Sequence, residues 1–128
     1  MLSNALVFTT IPVRNLKRAK DFYVEKLGLK QVKDPSKHGY MLEAGNGSKL
    51  FIFQTDKFTA SNHVVAAFFI DNIERIVNEL INKGIIFEKQ INGMSVEINQ
   101  KGIASGDKEK AAWFKDPDGN ILSLSQLL

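Results

Sequence analysis

Few side chains in this chain of 128 residues could do chemistry, and their spacing narrows the field further. There is no cysteine, so a thiolate nucleophile, a thiolate metal site and a disulfide are all excluded. The two histidines are His38 and His63, and neither has carboxylates spaced to form a triad. Asp116 and Asp118 form a carboxylate pair that could share a proton. They stand in Asp116-Pro-Asp-Gly-Asn120, however, where aspartate is a turn former, and the turn is the simpler reading. There is no glycine-rich phosphate loop and no nucleophile elbow. Residues 14–33 hold seven basic side chains (Arg14, Lys17, Arg18, Lys20, Lys26, Lys30, Lys33) against Asp21 and Glu25. A solvated helix face explains them; a patch for phosphates or an anionic ligand is the sharper alternative. Nucleic acid is not an expected partner, because no aromatic platform interleaves with these charges.

The elements that must carry these residues come in duplicate. Val13-Arg-Asn-Leu-Lys-Arg18 is answered by Ile70-Asp-Asn-Ile-Glu-Arg75, at an offset of 57. Gly45-Asn-Gly-Ser-Lys-Leu-Phe-Ile-Phe-Gln54 is answered by Pro117-Asp-Gly-Asn-Ile-Leu-Ser-Leu-Ser-Gln126, at an offset of 72. Two strand–helix–strands modules follow, of about residues 1–58 and 61–128, within one domain covering 1–128. In the first, residues 5–13 read as a strand, and Asn15 caps a helix whose Leu16, Ala19, Tyr23 and Leu27 recur until Gly28. Short strands are expected over 29–33, 39–44 and 49–54, the last two joined by Gly45-Asn-Gly. In the second, His63–Ile70 reads as a strand buried on both faces. Asn72 caps a helix carrying the stripe Ile73, Ile76, Val77, Leu80 and Ile81, ending near Gly84. Residues 85–89 read as a strand, and 112–115 with 120–126 as a hairpin around Asp116-Pro-Asp-Gly-Asn120. Residues 91–109 exceed the matching stretch of the first module. There Met94, Val96 and Ile98 alternate with polar residues, as in an extra strand, a surface hairpin, a pocket lid or a dimer arm.

Composition is that of a globular protein, with 44% hydrophobic and 24% charged residues. No run approaches the ~20 apolar residues of a membrane span, and Met1-Leu-Ser-Asn-Ala5 does not read as a signal peptide. The expected setting is cytoplasmic, with no membrane partner.

Phe22-Tyr23 followed by Leu27-Gly28-Leu29, after a strand and the Val13-x-Asn-Leu turn, resembles the first module of the vicinal oxygen chelate superfamily. That group includes glyoxalases, bleomycin-resistance proteins and extradiol dioxygenases. Phe114-Lys-Asp-Pro-Asp-Gly-Asn-Ile-Leu122 is similar to the signature near the end of its second module. The resemblance implies an α+β fold of paired βαβββ modules, forming two curved, mostly antiparallel sheets around a cleft. It also implies a divalent metal held in that cleft by His, Glu or Gln from the first and last strand of each module. Carried over by the flanking motifs, those positions are Phe8, Phe51, Val65 and Ser123. Three offer no donor atom and the fourth only a neutral hydroxyl, so no metal and no other cofactor is expected. His63 precedes Val65 by two residues, roughly 6.6 Å along a strand. It could serve as a displaced ligand or simply open the strand.

What the resemblance leaves is a cleft without a Lewis acid. Alternation along the strands adds Leu6 and Thr10 beside Phe8, Phe53 beside Phe51, Ala67 and Phe69 beside Val65, and Ser125 beside Ser123. The resemblance also turns Trp113 and its twin Met41 toward the cavity. The expected ligand-binding set is therefore Phe8, Thr10, Met41, Phe51, Phe53, Val65, Ala67, Trp113, Ser123 and Ser125. Trp113 is the best pocket candidate, since a large ring with one N–H donor suits a half-open site, and the alternative is that the phenylalanines fill the space themselves. Such a surface suits a small, flat, hydrophobic or aromatic molecule, as in the bleomycin-resistance branch, which sequesters its ligand. With a pI near 9.2, a neutral or anionic compound fits better than cationic bleomycin. Two other readings stay open. One is a metal-dependent enzyme of the glyoxalase or dioxygenase type; the other is a non-catalytic interaction module with a filled cleft. The resemblance implies a homodimer in each case.

Overall fold

The computed structural model describes residues 1–32, 38–91 and 96–128. The chain divides into two compact units, Met1–Thr59 and Ala60–Leu128. In the first, β1 (Thr9–Val13) leads into α1 (Leu16–Lys20), which continues as a π-helical stretch over Asp21–Lys26. β2 (Lys30–Val32), β3 (Gly39–Glu43) and β4 (Lys49–Gln54) complete the unit. The sheet order is β1-β4-β3-β2, with β1 parallel to β4 and the other pairs antiparallel. One face buries Ile11, Val13, Leu42, Leu50 and Ile52; Ala19, Phe22 and Tyr23 are the buried side chains of the helical segment. The π-helical widening explains how two consecutive residues are both buried. In an α-helix neighbours point about 100° apart. Here Leu27 donates to the carbonyl of Phe22, five residues back, and the Phe22 and Tyr23 rings meet edge to face at 5.1 Å.

The first strand is shorter than the expected 5–13. It begins at Thr9, and Leu2–Asn4 form a 3₁₀ turn, leaving Leu6, Val7 and Phe8 exposed. Composition gives these residues β-propensity but no partner, because β4 begins only at Lys49 and the ladder opens at Thr9–Leu50. Asn46 and Gly47 both take positive φ in the preceding turn, as its Gly-Asn-Gly sequence favours. The expected strand end at Lys33 lies outside the described residues.

The second unit repeats the plan with β5 (Val64–Phe69), α2 (Ile73–Asn82), β6 (Ile103–Ser105), β7 (Glu109–Lys115) and β8 (Ile121–Leu127). Its order is β5-β8-β7-β6, again with a parallel outer pair, β5 and β8. α2 contacts β7 and β8, burying Ile73, Val77 and Leu80, while Ile81 of the expected stripe stays exposed. Two expectations are corrected here. β5 is not buried on both faces: it ends the strand order of its sheet beside β8, and Phe69 is 78% exposed. Residues 85–89 make only an isolated bridge, Phe87 with Phe114, because β6 occupies that side of β7 opposite Lys110–Ala112. The long stretch after α2 thus supplies β6, plus a bridge from Ile98 to Ala104. Met94 lies outside the described residues.

The duplication extends to single hydrogen bonds. Asn15 Oδ1 accepts from Arg18 N and Gln54 Oε1 from Leu16 N at the start of α1. At the start of α2, Asn72 Oδ1 accepts from Arg75 N and Gln126 Oε1 from Ile73 N. The two repeated motifs of each module therefore meet at its helix N-terminus. There a cap and the last strand's glutamine satisfy amides that the helix leaves open.

Candidate functional site

On the first sheet, register sets the face opposite the core. Thr10 and Met41 are both ladder partners of Phe51, and Phe53 pairs with Gly39. The Phe51 and Phe53 rings stack nearly parallel, 12° apart with centroids at 6.4 Å. Gly39 is required beside them, since a Cβ there would collide with the Ile52 carbonyl oxygen of β4 and also crowd the Phe51 ring at 2.8 Å. Met41, Phe51 and Phe53 are half-buried and Thr10 is exposed, so this face is an apolar, aromatic surface edged by one hydroxyl. Phe8, expected beside Thr10, precedes β1 and is 46% exposed.

On the second sheet, Ser123 lies between Trp113 on β7 and Ala67 on β5, with Ser125 beside Ala111 and Phe69. Val65 falls at an irregularity between Val64 and Ala66, which moves it out of the ladder. Ser123 is buried at 5% exposure and Ser125 is half-buried. Trp113 is buried at 6% exposure. It clusters with Ala104 and Ile121, with Ile91 and Ile98 of the long post-helix segment packed against them.

The resemblance assigns metal ligands to Phe8, Phe51, Val65 and Ser123, and none of these four side chains fits a divalent cation. Phe51 and Val65 place hydrocarbon there, Phe8 lies outside its strand, and Ser123 offers one neutral oxygen. His63 and His38 are exposed, and among the described residues no three His, Asp or Glu side chains converge. Of the carboxylate pair in the turn, Asp116 is held by the turn itself. Asp116 Oδ1 accepts from the amides of Asp118 and Asn120, and Oδ2 accepts from Asn120 Nδ2. This network leaves Asp116 tied down and buried.

One feature of the second unit has no counterpart in the sequence reading. A cavity of about 440 Å³ is lined by residues 60–62, Glu88, Gln90, Ile91, Lys115, Gly119 and Ile121. Lys115 and Ile121 are partners at the facing ends of β7 and β8, and the Phe87–Phe114 bridge brings Glu88 to them. Lys115 Nζ lies 3.3 Å from Glu88 Oε1. These segments lie far apart in sequence and meet through the Phe87–Phe114 bridge, the Glu88 N–H donating to Trp113 O and the Lys115–Glu88 pair, so no local spacing could have grouped them.

The sequence model of the Glyoxalase/Bleomycin resistance protein/Dioxygenase superfamily matches residues 5–124, and the chain belongs to that superfamily. No curated protein sequence matches it. Among solved structures it is similar to an antibiotic-binding protein from Streptomyces sp. CB03234, at 22% identity and a TM-score of 0.75, covering 100% of this chain and 99% of that one. A glyoxalase family protein from Enterococcus faecalis is 26% identical with a TM-score of 0.67, over 98% and 99% of the two chains. A fosfomycin resistance protein from Listeria monocytogenes is 15% identical with a TM-score of 0.69, over 96% and 93%. The fold is shared throughout, and relatives with this fold include proteins that bind or counter antibiotics.

Proposed function

We propose that the chain binds a small hydrophobic or aromatic molecule without a metal and acts by holding it, as in antibiotic sequestration. The observation that carries this is Phe51. At a position where the family places a metal ligand, the chain puts an aromatic ring stacked on Phe53 and flanked by Met41 and Thr10. A half-buried aromatic pair offers a flat ligand stacking area at low entropic cost, and the basic balance of the chain favours a neutral or anionic one. Homodimer formation and a cytoplasmic setting belong to the same proposal; no described helix is long and apolar enough to cross a membrane.

Calorimetric titration with anthraquinone-2-sulfonate, before and after exhaustive dialysis against a chelator, tests the reading. Binding is expected to survive dialysis unchanged and to weaken about tenfold in Phe51→Ala, the loss of one stacking contact. Affinity that disappears with chelation and returns with one equivalent of a divalent cation would sink it. So would an unchanged affinity in Phe51→Ala.

A further inference from the structure

We infer that the cavity of the second unit is a separate site for a zwitterion with an apolar side, of the size of a free amino acid or dipeptide. Its volume of about 440 Å³ lies within the usual range for small-molecule sites. Among its lining residues the charged ones are Glu88 and Lys115, paired at 3.3 Å and both open to solvent in part. Their charges cancel, and that selects the ligand. An anion drawn to Lys115 is repelled by Glu88, and a cation drawn to Glu88 is repelled by Lys115. A ligand carrying both charges closes a four-member ring, its ammonium on Glu88 and its carboxylate on Lys115, so that no charge is left without a counterpart. Asn62 and Gln90 add amides able to donate and accept, which suits a peptide group. Ile91 and Ile121 form the apolar wall.

The same two isoleucines pack in the cluster that holds Trp113, the only tryptophan of the chain. Filling the cavity therefore presses on the surroundings of that indole and should change its emission. None of the residues proposed to bind the aromatic ligand lines this cavity, so the two sites can fail independently.

The test is a two-dimensional amide NMR titration of the intact chain with three probes: L-leucine, N-acetyl-L-leucine (anion only) and L-leucinamide (cation only). L-leucine is expected to give saturable shifts at residues 60–62, 88–91 and 119–121, with a parallel change in Trp113 emission. Each single-charge analogue should bind roughly fivefold more weakly, the scale of one half-exposed ion pair. Glu88→Gln should then favour N-acetyl-L-leucine, and Lys115→Met should favour L-leucinamide. Both changes sit on solvent-open side chains, and the comparison of three probes on the unaltered protein decides the matter even without them. Equal affinity for all three, shifts centred elsewhere, or no saturation with L-leucine would overturn the proposal. Phe51→Ala should leave the leucine response unchanged, which separates this site from the aromatic one.

Discussion

At the scale of single residues, a side chain's donor atoms are set by its type, whereas its exposure is set by the neighbours that pack on it. That Phe51 and Val65 cannot hold a cation follows from their side chains wherever they sit. That Ser123 is buried does not follow, because it depends on Trp113 and Ala67 standing beside it in the ladder. Ser123→Phe tests how full that space is. A ring inserted at a position only 5% exposed must displace its neighbours, and overpacking of this kind costs about 1–3 kcal/mol. Urea denaturation should show a lower midpoint with an unchanged slope. Wild-type stability in this variant would mean that the second sheet's face has room for a ligand at Ser123. Asp116 shows the opposite case, in which the local sequence sufficed. The reading of Asp116-Pro-Asp-Gly-Asn120 as a turn needs no distant contact, and the carboxylate is tied up by amides two and four residues away.

Elements were legible where a local signal both starts and stops them. Asn15 and Asn72 cap helices that end near Gly28 and Gly84, both at positive φ, and Pro117-Asp-Gly closes the β7–β8 hairpin. Residues 5–8 carry the composition of a strand without joining the ladder, residues 85–89 pair through the single Phe87–Phe114 bridge, and pairing is a tertiary fact. The corner where α2 meets the end of its sheet shows what sequence could not supply. There Gln126 accepts from Ile73 N, and Lys110 Nζ donates to Glu74 Oε1 at 2.6 Å. The Lys110 hydrogen bond, helped by one from the Glu74 backbone amide and by the ammonium charge, lowers the Glu74 carboxyl below its ordinary value. A depressed folded-state pKa adds stability above the unfolded value, near 4.3, and that contribution is lost as pH falls through the folded one. The side chains are open to solvent, so the effect on global stability is small and the titration itself is the better readout. Carbon-detected NMR should find the Glu74 midpoint below those of unpaired glutamates, and Lys110→Met should move it upward. A midpoint that ignores Lys110→Met would show that the contact is not kept in solution.

For the whole molecule, the duplication is what the sequence revealed most directly, because offsets of 57 and 72 can be read without any structure. Each unit then repeats the same strand order and the same pair of helix-start hydrogen bonds. Repetition also leaves the same liability twice. β1 and β5 each end the strand order of their sheet, and sheet edges with apolar residues invite association. On β5 the large side chain of Phe69 is 78% exposed, which is costly to leave in water. A second copy of the chain covering this strand would account for it, and the superfamily resemblance points the same way. Light scattering at tens of micromolar should therefore give the mass of a dimer. Phe69→Lys should shift the distribution toward monomer by at least tenfold in dissociation constant, the cost of placing a cation where an aromatic was covered. Because Phe69 is exposed in the single chain, the substitution should leave circular dichroism unchanged. A monomeric wild-type protein would remove the dimer from the proposal. A dimer unmoved by Phe69→Lys would place the interface away from β5.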